Sequence, residues 1–79
     1  EQALTEIVIY PNPTKGKLIL ENLPKGEVSF VIVDVRGKRV VERNKISKKT
    51  IDISSLADGI YQIKLEGKEW VWNKKLIKQ

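Results

Sequence analysis

The sequence predicts an all-β fold, a small immunoglobulin-like β-sandwich of about seven antiparallel strands. Three observations carry that prediction. Apolar and polar residues alternate with period two through most of the 79-residue chain, while helical periodicity is almost absent. Pro, Gly and Asn interrupt the alternating segments at intervals of roughly 8–12 residues, the spacing of sandwiches and barrels. The length allows one domain, 1–79, whose thin core buries roughly 60–65% of the unfolded chain's surface.

The elements follow in order. Ile7 to Tyr10 forms a first short strand, stopped by Pro11-Asn12-Pro13, whose two prolines fix φ on both sides of Asn12. Lys17 to Asn22 is the second, ended by Pro24-Lys25-Gly26. Glu27 to Val35 is the strongest, with Val28, Phe30 and Ile32 on one face and Val31, Val33 and Val35 on the other, a pattern expected of a strand covered on both sides for part of its length. Arg36-Gly37 supplies a tight turn, and Lys38 to about Lys45 returns as a basic strand around Val40 and Val41. Thr50 to Ile53 is brief. Ser54 to Gly59 reads as one helical turn or a tight corner in which Leu56 plugs the core. Ile60 to Glu66 alternates cleanly, with Tyr61, Ile63 and Leu65 inward; Gly67-Lys68 then turns into a last strand from about Glu69 to Lys78.

Composition argues against catalysis. The chain contains no histidine and no cysteine, which removes the commonest general base, the thiol nucleophile and the usual transition-metal ligands. Asp34, Asp52 and Asp58 do not share the spacing of a calcium loop. Asp34 precedes the turn at Gly37 and Asp58 precedes Gly59, positions where a short carboxylate caps backbone N–H groups. The glycines are isolated, so no phosphate cradle is suggested. No enzyme activity, cofactor or metal is expected. The chain also lacks methionine, as expected of a piece excised from a longer protein.

Charge is concentrated. The net charge is +5, yet Arg36 to Lys49 alone carries +6, seven basic residues against Glu42. A solvated edge strand protected by lysine accounts for this run. An anionic surface is the alternative partner, whereas nucleic acid is not expected because no aromatic residue is interleaved among the charges. Trp70 and Trp72 share a face of the last strand, either as the lid of a thin core or as a stacking platform for sugar. The terminus Lys74-Lys75-Leu76-Ile77-Lys78-Gln79 reads as a final edge strand, whose free N–H and C=O groups are available to a partner.

Four landmarks stand in one order: Tyr10-Pro11-Asn12-Pro13-Thr14-Lys15-Gly16, then Val33 to Val40 around Asp34 and Gly37, then Ile51 to Tyr61 with Gly59, then Lys74 to Lys78. In that order and spacing they resemble the type A C-terminal sorting domain of the type IX secretion system of Bacteroidetes, found on gingipain-like exported proteins. The resemblance covers nearly the whole chain. It implies a non-catalytic signal that directs a folded cargo, attached at its N-terminal side, from the periplasm across the outer membrane to the cell surface or beyond. The implied partners are the type IX translocon, its outer-membrane shuttle components and a sortase-like cysteine peptidase that usually removes the domain, at or before the first few residues, around Glu1 to Thr5. Pro11, Asn12, Pro13, Gly16, Asp34, Gly37, Gly59 and Tyr61 are implied to define the fold, and Lys74, Lys75, Leu76, Ile77 and Lys78 to be read by the translocon. The domain itself is expected to be a monomer or weak dimer. The competing reading is a non-catalytic binding or adhesion module for sugar or an anionic surface.

Overall fold

The computed structural model describes residues 6–46 and 48–79. They form seven strands: β1 (Val8–Tyr10), β2 (Lys17–Glu21), β3 (Ser29–Asp34), β4 (Arg39–Arg43), β5 (Thr50–Asp52), β6 (Gly59–Glu66) and β7 (Val71–Lys78). β1, β2 and β5 make one sheet in the order β1-β2-β5; the other runs β4-β3-β6-β7. Every pairing between these strands is antiparallel. This is the immunoglobulin-like arrangement, A-B-E facing C′-C-F-G.

Register puts inward residues opposite inward residues. Ile9 pairs with Leu20 and Leu18 with Ile51 on the smaller sheet. Phe30 pairs with Leu65, Ile32 with Ile63 and Tyr61 with Leu76 on the larger one. All are buried, and together they fill the space between the sheets. Because side chains alternate with period two, a one-residue slip would turn an entire apolar row to solvent, so the core itself holds the register.

Several expectations are corrected. The second face of β3 is only half-covered: Val31 and Val33 are half-buried and Val35, in the turn, is 77% exposed. A two-layer sandwich buries only one face of each sheet, and neighbouring side chains give the outer face its partial cover. The return strand is shorter than Lys38–Lys45 and carries a bulge, since Ile32 pairs with Val41 but Val33 pairs with Arg39, leaving Val40 as the extra residue. The bulge breaks alternation, and Val40 and Val41 are both half-buried. Leu56 does not plug the core; it is half-buried against the core's rim, in a turn closed by its N–H donating to the Ile53 carbonyl. β7 starts at Val71 because Gly67 N–H donates to the Trp70 carbonyl and closes the turn first.

Tyr61 leads the inward row of β6, and its hydroxyl donates back to the carbonyl of Ala57. That is a tyrosine corner, at the start of the strand equivalent to F. It ties the Ser54–Gly59 connection to the sheet that follows. Tyr61→Phe should lower stability by about 1 kcal/mol by deleting this one hydrogen bond, a fall in thermal midpoint of about 4–8 °C for a domain of this size. Tyr61→Ala should cost about 3–5 kcal/mol and leave little folded protein. Thermal melts followed by circular dichroism check both, and an unchanged midpoint in Tyr61→Phe would remove the corner from the account.

Candidate functional site

The four landmarks converge on one end of the sandwich. Asp34 lies opposite Tyr61, Tyr61 opposite Leu76, and Gly59 opposite Lys78, so the β3–β4 turn, the Ser54–Gly59 corner and the end of β7 are neighbours. A parallel bridge between Thr14 and Lys78 brings the first landmark to the same place.

Asn12 makes the join. Its side-chain N–H donates to the Lys75 carbonyl at 2.8 Å, and its side-chain oxygen accepts the Ile77 N–H at 3.0 Å, across 63 and 65 residues of sequence. The amide thus stands where a neighbouring strand's peptide group would stand. Thr14 continues the pairing with backbone groups, its N–H donating to the Ile77 carbonyl and its carbonyl accepting the Gln79 N–H. The expectation that the Lys74–Gln79 edge lies open is therefore corrected: from Lys75 to Gln79 it is closed by residues 12–14. Pro11 and Pro13 flank the amide, and neither brings an N–H that would need a partner.

Thr14 is a buried residue of this junction that the sequence reading passed over. It is 1% exposed, accepts the Gly16 N–H at its hydroxyl and donates to the Lys17 carbonyl. A hydroxyl two residues before a glycine is the signal that would have found it. Gly16 in turn has φ +156°, and a Cβ there would fall 2.8 Å from that of Ser54. Its carbonyl accepts the Ile53 N–H, which brings the first landmark against the third.

The aspartates are engaged in holding this end together. Asp34 Oδ1 accepts the N–H groups of Arg36 and Lys38 at 2.9 and 3.0 Å, as expected of a turn cap, and Gly37 adopts φ +86° inside that turn. The Lys38 N–H, and then the N–H and the guanidinium of Arg36, hold the Asp34 carboxyl below the usual carboxylate range. Asp52 is held low in the same way, chiefly by the hydroxyl and then the N–H of Ser54. Asp58 departs from expectation. Rather than capping backbone, it accepts the ammonium of Lys78 at 3.1 Å.

The terminal segment divides accordingly. Leu76 is fully buried beside Tyr61, and Lys78 is 8% exposed, its charge answered by Asp58. Ile77 is half-buried, while Lys74 and Lys75 are exposed. Trp70 and Trp72 are half-buried against the core, with the Trp70 indole lying on Gly67, so they form its lid. In the basic stretch Arg36 pairs with Asp34, Arg39 with Glu42, and Lys45 with Glu27.

The fold and this junction define an immunoglobulin-like sandwich whose landmark residues fasten its first turn to its last strand. The family model that matches residues 8–79 is the secretion system C-terminal sorting domain, and the chain belongs to that family. It is the sorting signal for type IX secretion, which carries proteins toward the outer membrane or cell surface; the family is not known as catalytic. None of the curated proteins compared matches the chain. The adhesion reading finds no support.

Two predictions follow from this geometry. Asn12→Ala removes two hydrogen bonds worth about 1 kcal/mol each, so amide exchange at Ile77 and Gln79 should quicken by about tenfold or more while β3 and β6 stay protected. Unchanged exchange at Ile77 would show the clamp to be idle. The pH dependence has a definite sign. Asp34 and Asp52 are more acidic folded than unfolded, so their stabilisation is complete above the ordinary carboxylate pKa of about 4 and is lost as pH falls through the lowered folded values. The thermal midpoint should decline below that pH, and Asp34→Asn should flatten the decline.

Proposed function

We propose that Lys74 and Lys75 are the residues of the terminal segment that the type IX translocon reads, with cargo attached on the side of Glu1. The observation that carries this reading is the division within the segment: these two lysines stand in solvent on a strand that Leu76, Lys78 and the Asn12 clamp hold in place. Leu76 and Lys78 serve the signal by anchoring it, and Ile77 does so in part. Pro11, Asn12, Pro13, Gly16, Asp34, Gly37, Gly59 and Tyr61 act the same way, as the frame around the recognised surface. An outer-membrane shuttle component then receives the domain, and a sortase-like cysteine peptidase removes it around Glu1 to Thr5, which lie outside the described residues.

The test uses a foreign cargo bearing a signal peptide, fused ahead of Glu1 in a type IX-competent bacterium. The parent fusion is expected at the cell surface. Lys74→Gln with Lys75→Gln should fold within about 0.5 kcal/mol of the parent, as exposed substitutions usually do, and lose export several-fold, with cargo accumulating in the periplasm. A folded double variant exported at the parent rate would reduce both lysines to edge protection. Deleting Lys74 to Gln79 is the poorer test, because it removes fully buried Leu76, a loss comparable to the 2–5 kcal/mol of a core leucine truncation. Leu76→Ala should abolish folding and export together.

A further inference from the structure

β7 differs from the other strands at the sheet edges. β1 and β5 are three residues long, and β4 carries the bulge at Val40. Short and bulged edges resist pairing with another chain, whereas a long regular edge invites it. β7 is eight residues long and pairs with β6 without a break. The clamp closes only its second half. Asn12 and Thr14 meet Lys75, Ile77 and Gln79 on the side away from β6. In an antiparallel ladder the groups on one side of a strand belong to alternate residues. That side therefore also carries the Val71 carbonyl, both backbone groups of Asn73 and the Lys75 N–H, upstream of the clamp.

The side chains around this open half have a character. Val71 is 49% exposed, and Asn73, Lys74 and Lys75 are exposed. On β6, Lys64 lies opposite Asn73 and Glu66 opposite Val71. Lys64 and Lys75 stand on the outer face of the sheet with Glu66, and Lys74 on the opposite face with Trp72 and Leu76. None of the three lysines enters an ion pair among the described residues, so the open half carries unpaired ammonium groups on both faces and one carboxylate. We infer that Val71–Lys75 is a strand-addition site for an extended acidic segment of the export machinery, which pairs with Asn73 and Lys75 and stops where Asn12 occupies the edge. This inference rests on the chain being a sorting signal and adds the mode and chemistry of its partner. A second copy of the chain fits poorly, because antiparallel pairing about Asn73 would gather Lys74 and Lys75 of both copies in one short ribbon.

The first experiment follows amide exchange by NMR in this chain, with an eight-residue peptide of alternating glutamate and valine as probe. Exchange at Asn73 and Lys75 should slow at least tenfold at saturation, with Ile77 unchanged and an alternating lysine–valine peptide without effect. No slowing at Asn73 and Lys75, or slowing confined to β1, β4 or β5, overturns the inference. Slowing that grows with the chain's own concentration and needs no peptide overturns it in favour of self-pairing. The second experiment is export of the cargo fusion. Asn73→Pro removes an outward N–H and no β6 ladder bond, so it should fold and remain in the periplasm, while Asn73→Ala should be exported. A folded Asn73→Pro exported at the parent rate sinks strand addition and leaves the sorting reading standing; failure of the parent fusion sinks the sorting reading. Should Asn73→Pro not fold, the exchange measurement on the parent chain decides.

Discussion

One side-chain amide organises the end of the sandwich where the landmark residues meet. Asn12 gives to the last strand what a neighbouring strand would give, a donor for the Lys75 carbonyl and an acceptor for the Ile77 N–H. An edge strand in water has half its backbone groups solvated and frays readily, since its outward bonds contribute nothing to the sheet. With Asn12 and Thr14 in place the end of β7 is paired on both sides, so it behaves as an interior strand although it lies at the sheet's margin. The other landmarks depend on that arrangement. Lys78 reaches Asp58 only if β7 runs to its end, and Gly16 meets Ser54 only if the first turn lies against the sandwich.

The remaining polar groups at this end follow from the thinness of the core. A chain of this size has little apolar surface to spend on its connections, so local hydrogen bonds hold them instead. Asp34 caps the β3–β4 turn, Asp52 caps the entry to the Ser54–Gly59 corner, and the Tyr61 hydroxyl closes its exit. Lys78 is an inward-facing cation whose stem is buried while its ammonium reaches an exposed carboxylate, the geometry in which a long basic side chain is least costly to bury. These groups serve structure, and the same ones hold the terminal strand in a single conformation. A strand held in one conformation lowers the ordering cost for any partner that binds it.

Much of this was legible in the sequence. Period-two alternation and Pro/Gly/Asn spacing determined seven strands, the inward row of Tyr61, Ile63 and Leu65, and the Asp34 cap, because each depends on neighbours a few residues away. The ordered landmarks determined the family. Tertiary structure alone decided the rest. That Asn12 pairs with Lys75 and Ile77, that Thr14 is buried, that Asp58 serves Lys78 rather than backbone, and that Val35 stands in solvent all depend on which strands become neighbours. Local pattern carries no such information: a period-two run says which residues share a face, but the partner across an edge is chosen by the packing of the whole sandwich. The division of the last strand into an open half and a closed half is therefore a property of the fold, written by contacts more than sixty residues apart.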